Sequence, residues 1–247
     1  MKKKSLAALL LMLLPMLAAA DIVEIKGVNY FLSDGSLTAS VNKKNGGYKG
    51  DVVVPATVDY KGKTYQVTEV LSYAFSGSDE LTSVVLPESV TKLYDDVFFA
   101  AHNLTSVKLP STVTKWGDSM FAGCQSLTTV TLPAGLTVIP RSTFNGCDAL
   151  TTIELSDEIT KIGESAFAYC SALTTIKIPA SVTAIEDEAF NNSGLTDIYC
   201  YATEVPEKEE YTFDLLDIEA ATLHVPSAAV ASYKKAWSEF VKVVAIE

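Results

Sequence analysis

The chain has 247 residues, is 48% hydrophobic and carries a formal charge of −11. That length suffices for one domain with a large core. The acidic balance argues against nucleic acid, whose phosphates need a basic partner surface, and equally against attraction to anionic lipid.

Met1 to Ala20 opens on Lys2-Lys3-Lys4, continues as an apolar run from Leu6 to Leu17 and ends on Ala18-Ala19-Ala20. A basic start, a short apolar middle and small residues at the end read as a signal peptide, cut after Ala20 so that the mature chain begins at Asp21. The apolar run is too short for a good spanning helix. Loss of the three lysines takes the charge from −11 to −14. No cysteine lies near the cut and no second apolar segment occurs downstream. The mature chain is therefore expected to be exported, soluble and not inserted in a membrane: secreted, periplasmic or on the cell surface.

Residues 21–69 alternate and turn without a longer period. Tyr30-Phe31-Leu32 meets Asp34-Gly35, Asn45-Gly46-Gly47 marks another turn, and Lys61-Gly62 separates two alternating runs. These are hairpin signals. They predict a β-rich cap over the open end of a repeat array that begins near residue 70, since such an array needs modified ends to stay soluble.

From residue 70 to 200 the chain repeats every 23 residues, about six times. Phenylalanine recurs at Phe75, Phe98, Phe121, Phe144, Phe167 and Phe190. Leucine recurs at Leu81, Leu104, Leu127, Leu150 and Leu173, then at Leu195 after a one-residue deletion. Proline recurs at Pro87, Pro110, Pro133 and Pro179, with Ser156 in the fourth place. A fixed period of this size predicts a solenoid. Each unit reads Leu-x-x-Val-x-Leu-Pro-x-x-Val-x-x-Ile-x-x-x-x-Phe. The Val-x-Leu step has period 2, so it predicts a short strand with one buried face. Proline then stops the strand and turns the chain. The Phe segment predicts a turn or 3₁₀ element.

The run Leu173 to Phe190, L-T-T-I-K-I-P-A-S-V-T-A-I-E-D-E-A-F, resembles the BspA-type leucine-rich repeat of bacterial proteins. The resemblance implies a stack of short parallel strands joined by turn or 3₁₀ elements. It also implies a surface-exposed or secreted protein, with adhesion to host or neighbouring-cell proteins as the role of some members.

The last unit is damaged at Asn191-Asn192-Ser193-Gly194, Cys200 replaces the strand leucine, and the pattern is read as stopping at Tyr201. Residues 201–247 are expected to form a C-terminal cap. Glu204 to Tyr211 is charged and holds Pro206, which predicts an exposed loop. Ala221 to Pro226 predicts a strand. Ala228 to Trp237 predicts a helix, with Val230, Tyr233 and Trp237 on one face and Lys234 and Lys235 near its C-terminus.

Reactive chemistry is sparse. His102 and His224 have no His or Cys neighbour at metal-ligand spacing. There is no Gly-rich phosphate loop and no G-x-S-x-G. The expectation is a non-catalytic protein with no metal and no cofactor. Cys124, Cys147 and Cys170 share one place, three residues after the phenylalanine. Stacked equivalent side chains point the same way, so a reduced, packed column is expected rather than bridges, with Cys200 buried as well. Asp95, Asp118, Arg141, Glu164 and Asp187 form another column, read as a solvated edge on which Arg141 relieves repulsion between Asp118 and Glu164.

Residues on either side of the Val place should face outward. One outward column is Ser83, Ser106, Thr129, Thr152, Thr175 and Asp197, nearly uniform in chemistry. The other is Val85, Lys108, Thr131, Glu154, Lys177 and Tyr199, which varies in charge and size and is the expected binding surface. The partner expected there is a protein. A glycan is the alternative, with Tyr199 as the stacking residue, and a purely structural role is a third reading; the caps or the Glu204–Tyr211 segment are alternative sites.

Overall fold

The computed structural model describes residues 22–246; the leader read at 1–20 lies outside them. The chain winds into a β-solenoid of about eight turns with parallel strands, because no single unit buries enough apolar surface to offset the entropy of ordering it.

The N-terminal cap holds six strands: β1 (Ile22–Ile25), β2 (Val28–Ser33), β3 (Thr38–Asn42), β4 (Lys49–Val53), β5 (Thr57–Tyr60) and β6 (Lys63–Val70). The β1–β2, β2–β3 and β5–β6 pairs are antiparallel, through the turns at Gly27, Gly35 and Gly62. The join to the array is parallel: β3 lies beside β6, and β4 pairs with β7 (Glu80–Val85). The cap is thus an antiparallel sheet whose inner edges take the direction of the repeats.

On the strand face β7 continues to β9 (Ser106–Lys108). A second parallel group runs β13 (Thr175–Ile178), β15 (Asp197–Cys200), β17 (Thr222–Pro226), β18 (Lys242–Ile246). The return face carries two-residue strands. β8 (Lys92–Leu93) and β10 (Lys115–Trp116) extend the cap sheet. β11 (Val138–Ile139), β12 (Lys161–Ile162), β14 (Ala184–Ile185) and β16 (Glu207–Lys208) form a separate one.

The third side of each turn is the phenylalanine segment, and it alone is unbroken. The rings of Phe75, Phe98, Phe121, Phe144, Phe167 and Phe190 are fully buried and stack within 15° of parallel, with centroids 5.2–5.7 Å apart. Their amides donate along the stack: Phe98 N to Met120 O at 3.0 Å, Phe121 N to Thr143 O at 2.8 Å, Phe144 N to Ala166 O at 2.8 Å. Left-handed residues recur two before each ring (Tyr73, Asp96, Ser119, Ser142, Ser165, Glu188) and two after it (Gly77, Ala100, Gly123, Gly146, Tyr169, Asn192). This alternation of hand turns every second N–H toward the next repeat. Glycine adopts it without the steric penalty of a Cβ. The segment is a run of turns with its own ladder.

Three features depart from the sequence reading. The repeat does not stop at Tyr201. Phe213, 23 residues after Phe190, stacks on it at 5.5 Å and 10°, and Trp237 and Phe240 close the column against Phe213 at 5.4 and 5.0 Å. The surrounding leucine and proline signals have eroded, which hid this turn. Within the expected loop Glu204–Tyr211, Glu207 and Lys208 pair with Ala184 and Ile185; Pro206 is tolerated because it precedes the paired residues. The flanking Glu204, Glu209 and Tyr211 are exposed as expected.

The ladders also lapse mid-array. Thr129–Thr131 and Thr152–Glu154 form no regular strand, although Val130 and Ile153 still point inward and are buried. On the return face the break falls between β10 and β11. There Pro140 occupies the place where Gly117 N donates to Leu93 O (3.0 Å) and Gly163 N donates to Ile139 O (2.8 Å). Proline has no N–H to give, and the bulkier Trp116 sits where neighbouring turns carry Leu93 and Ile139.

The expected C-terminal strand and helix are present as β17 and α1 (Val230–Ala236). Tyr233 and Trp237 are buried, and Lys234 and Lys235 lie in the last turn.

Candidate binding face

The outward positions of the strand face are set by the two-residue period of the strands: Val84, Val107, Ile176 and Ile198 point in, so their neighbours point out. Register brings Val53, Val85 and Lys108 side by side at one end. It brings Lys177, Tyr199, His224 and Val244 side by side at the other. Lys108, Thr131, Glu154 and Lys177 are exposed; Val85 and Tyr199 are half-buried. All six residues of the variable column therefore lie on one outward face. The column is longer than the sequence pattern indicated. Val53, His224 and Val244 extend it, and the pattern misses them because they lie outside the 23-residue register. A cleft of about 540 Å³ opens in the lapsed region, between Thr151–Leu155 on one side and Thr174, Thr175 and Lys177 on the other.

At the C-terminal end the face is ordered by a hydrogen-bonded pair. His224 Nε2 lies 2.9 Å from Asp197 Oδ1. Thr196 Oγ1 donates to Asp197 Oδ2 at 3.0 Å. The bond to His224, then that from Thr196, holds the Asp197 carboxyl below the usual carboxylate range. The imidazole stacks on Tyr199 with centroids 4.1 Å apart and planes 9° from parallel, so one ring face of Tyr199 is covered. At the other end Asp51 Oδ1 accepts from Ser83 Oγ (2.6 Å) and Thr82 Oγ1 (2.8 Å), and these bonds likewise lower its pKa.

Other singled-out residues sit apart from this face. His102 Nδ1 lies 2.7 Å from Asp79 Oδ1 on an exposed turn. Among the described residues no Ser, Thr or Cys hydrogen-bonds to either imidazole, and no cluster of three or more His, Cys, Asp or Glu could hold a metal. Arg141 pairs with Glu164 at 3.0 Å, and Asp95 caps the Asp118 amide at 3.0 Å. The cysteines are free and buried. The thiols of Cys124, Cys147 and Cys170 donate to the carbonyls of Phe98, Phe121 and Phe144 in the preceding turn, at 3.1, 3.2 and 3.2 Å. Burial raises Cys124 and Cys170 to about 12 and Cys147 well above its ordinary value.

A stack of short parallel strands around a leucine and phenylalanine core is a leucine-rich repeat solenoid, a fold typical of interaction or structural modules rather than enzymes. The family model "BspA type Leucine rich repeat region" matches six copies over residues 68–196, about half of the chain, and the chain belongs to that family. Among solved structures, a leucine-rich repeat protein from Eubacterium ventriosum is similar at 23% identity, over 68% of this chain and 50% of that one, with TM-score 0.53. One from Bacteroides ovatus is 17% identical over 91% of this chain and 76% of that one, TM-score 0.41. The T. pallidum leucine-rich repeat protein is 18% identical over 87% and 95%, TM-score 0.46. No curated protein sequence is close enough to count as a match. Among the described residues no helix is long and apolar enough to cross a membrane.

Proposed function

We propose that this is an exported, non-catalytic adhesion module that binds a protein of a host or neighbouring cell through the outward column Val85, Lys108, Thr131, Glu154, Lys177 and Tyr199. The observation that carries this reading is a contrast between the two sides of the same strands. The inward side repeats with almost no change, whereas the outward column changes charge and size at nearly every step from Val53 to Val244. A packing role alone requires only the inward side, and chemical variety on a broad, regular face is what selective recognition of a protein uses. Lys108 and Lys177 are exposed on this column on either side of Glu154, so a complementary partner surface places carboxylates opposite the two lysines and a base opposite the glutamate. The glycan reading is weaker, because His224 already covers the ring face of Tyr199 that a sugar would stack on.

The test begins with a pull-down of the mature protein against matrix and cell-surface proteins, in parallel with a glycan array. With a partner in hand, Lys108→Glu with Lys177→Glu should weaken binding at least tenfold, the loss of two interfacial charge contacts, and leave the melting temperature nearly unchanged. Unaltered affinity would place the site elsewhere, and array binding with no protein captured would favour the glycan.

A further inference from the structure

The strand face has an open edge inside the N-terminal cap. β4 pairs with β7 alone. Val52 and Val54 belong to that pairing: Val52 lies opposite Val84, and Val54 N donates to Val85 O at 3.0 Å. Alternate residues of a parallel strand turn their N–H and C=O to opposite sides, so those of Asp51 and Val53 point away from β7. Among the described residues nothing gives them a backbone partner.

A groove of about 500 Å³ runs along this edge. Val28, Tyr48 and Val52, all buried, form its floor. The rest of its lining comes from the β1–β2 turn and the turn before β4, where Gly27 and Gly46 keep the space free of side chains. Lys26, Lys44 and Lys49 rim it. Lys26 is exposed and has no ion pair among the described residues. Lys44 pairs with Glu24 at 3.1 Å and Lys49 with Glu80 at 2.5 Å, and solvent-accessible pairs of this kind hold their partners weakly. The cap also differs from the repeats in charge. Residues 22–69 carry six lysines against five acids, net +1, and residues 70–247 carry ten bases against 24 acids, net −14. A segment rich in carboxylates is repelled by the repeats and steered toward the cap.

We propose that the open edge of β4 is a docking site for an extended acidic segment of another protein, which adds to it as a strand. Asp51 and Val53 each offer that segment an N–H and a C=O. One face of the segment lies on Val28, Tyr48 and Val52, and its carboxylates meet Lys26, Lys44 and Lys49. Lys49 and Asp51, on the edge itself, discourage pairing with a strand of unmatched charge. Through Val53 the site adjoins the outward column, but it uses backbone groups and does not depend on what that column binds.

The probe is acetyl-Glu-Val-Glu-Val-Glu-amide, with acetyl-Lys-Val-Lys-Val-Lys-amide as the charge-reversed control. Each is titrated into the purified, isotope-labelled protein while the backbone amide resonances are followed. The acidic peptide should shift the amides of Asp51 and Val53 saturably and slow their exchange with solvent, and the basic peptide should leave them unchanged. Val53→Pro removes a donor that faces the groove and leaves the bonds to β7 in place. It should weaken the acidic peptide about tenfold. Lys26→Glu should also weaken it and reduce its dependence on salt. Lys108→Glu with Lys177→Glu should change it less than about twofold. No response of Asp51 and Val53 to the acidic peptide overturns the proposal, and an equal response to both peptides overturns the charge matching. Unchanged affinity in Val53→Pro overturns strand addition. Should that variant fail to fold, the acidic peptide methylated at every backbone nitrogen keeps its carboxylates and loses its donors; undiminished binding of that peptide overturns strand addition equally. Light scattering that finds two copies of the chain together before any peptide is added assigns the edge to a second copy and overturns the proposal.

Discussion

Single residues in this protein act by recurrence, and the cysteine column shows how. A thiol at one position in one turn is an ordinary small buried group. Three in register place each Sγ under the carbonyl of the phenylalanine one turn back, a donor and acceptor pair that the stack itself creates. Export would permit disulfides, yet parallel side chains in successive turns do not face one another. The thiolate is the reactive form, and thiol values of about 12 for Cys124 and Cys170 leave almost none at neutral pH. Thiol counting under denaturing, non-reducing conditions should therefore find four, and alkylation of the native protein at pH 8 should be no faster than unfolding of the stack permits. A count of two would mean a bridge that the geometry does not provide.

At the scale of the element, the three sides of each turn carry unequal shares. The phenylalanine side is continuous from Phe75 to Phe213, with ring stacking and an inter-turn amide at each step. The strand side lapses over Thr129–Thr131 and Thr152–Glu154, and the return side lapses at Pro140. Thr151 offsets part of this beside the strand lapse: its N–H donates to Thr128 O at 3.1 Å and its Oγ1 to the same oxygen at 3.4 Å, one turn back. Local opening begins where backbone hydrogen bonds are fewest. Native-state hydrogen exchange should show the amides of Thr129–Thr131 and Thr152–Glu154 exchanging well before those of Phe121 and Phe144. Equal protection along all three sides would show that the lapse does not weaken the array. The lapse also falls in the middle of the proposed binding face, where free backbone groups remain available to a partner.

For the whole molecule, the ends matter because a solenoid has no other way to close its core. Residues 201–246 supply one more phenylalanine turn, three more parallel strands and a terminal cover of Tyr233, Trp237 and Phe240, all buried. They are part of the stack and not an appendage to it. A chain ended after Thr203 would expose the outer face of Phe190 and the edge of β15. It should lose cooperative thermal unfolding or aggregate, which light scattering and a melting curve would detect; a truncated chain that melts like the parent would show that the array closes without its last turns. The cap at the other end works by a change of pairing, from antiparallel within β1–β3 to parallel at β6 and β7.

Burial in a stack imposes the same side chain at the same place in every turn. The solenoid, its 23-residue turn, the inward residues and the two outward columns were therefore legible in the chain alone. Hairpins marked by Gly35 and Gly62 and the helix Val230–Ala236 were legible for a similar reason: each is set by residues close in the chain. The remaining features depend on contacts between turns. The seventh phenylalanine, Phe213, carries no signal while its leucine and proline companions are absent, and its stacking on Phe190 is what identifies it. The parallel join of the cap, the lapse at Pro140, the covering of Tyr199 by His224 and the open edge of β4 have no local signature either. Each arises because residues distant in sequence meet, and a one-dimensional period records which side chains are buried without recording what they touch.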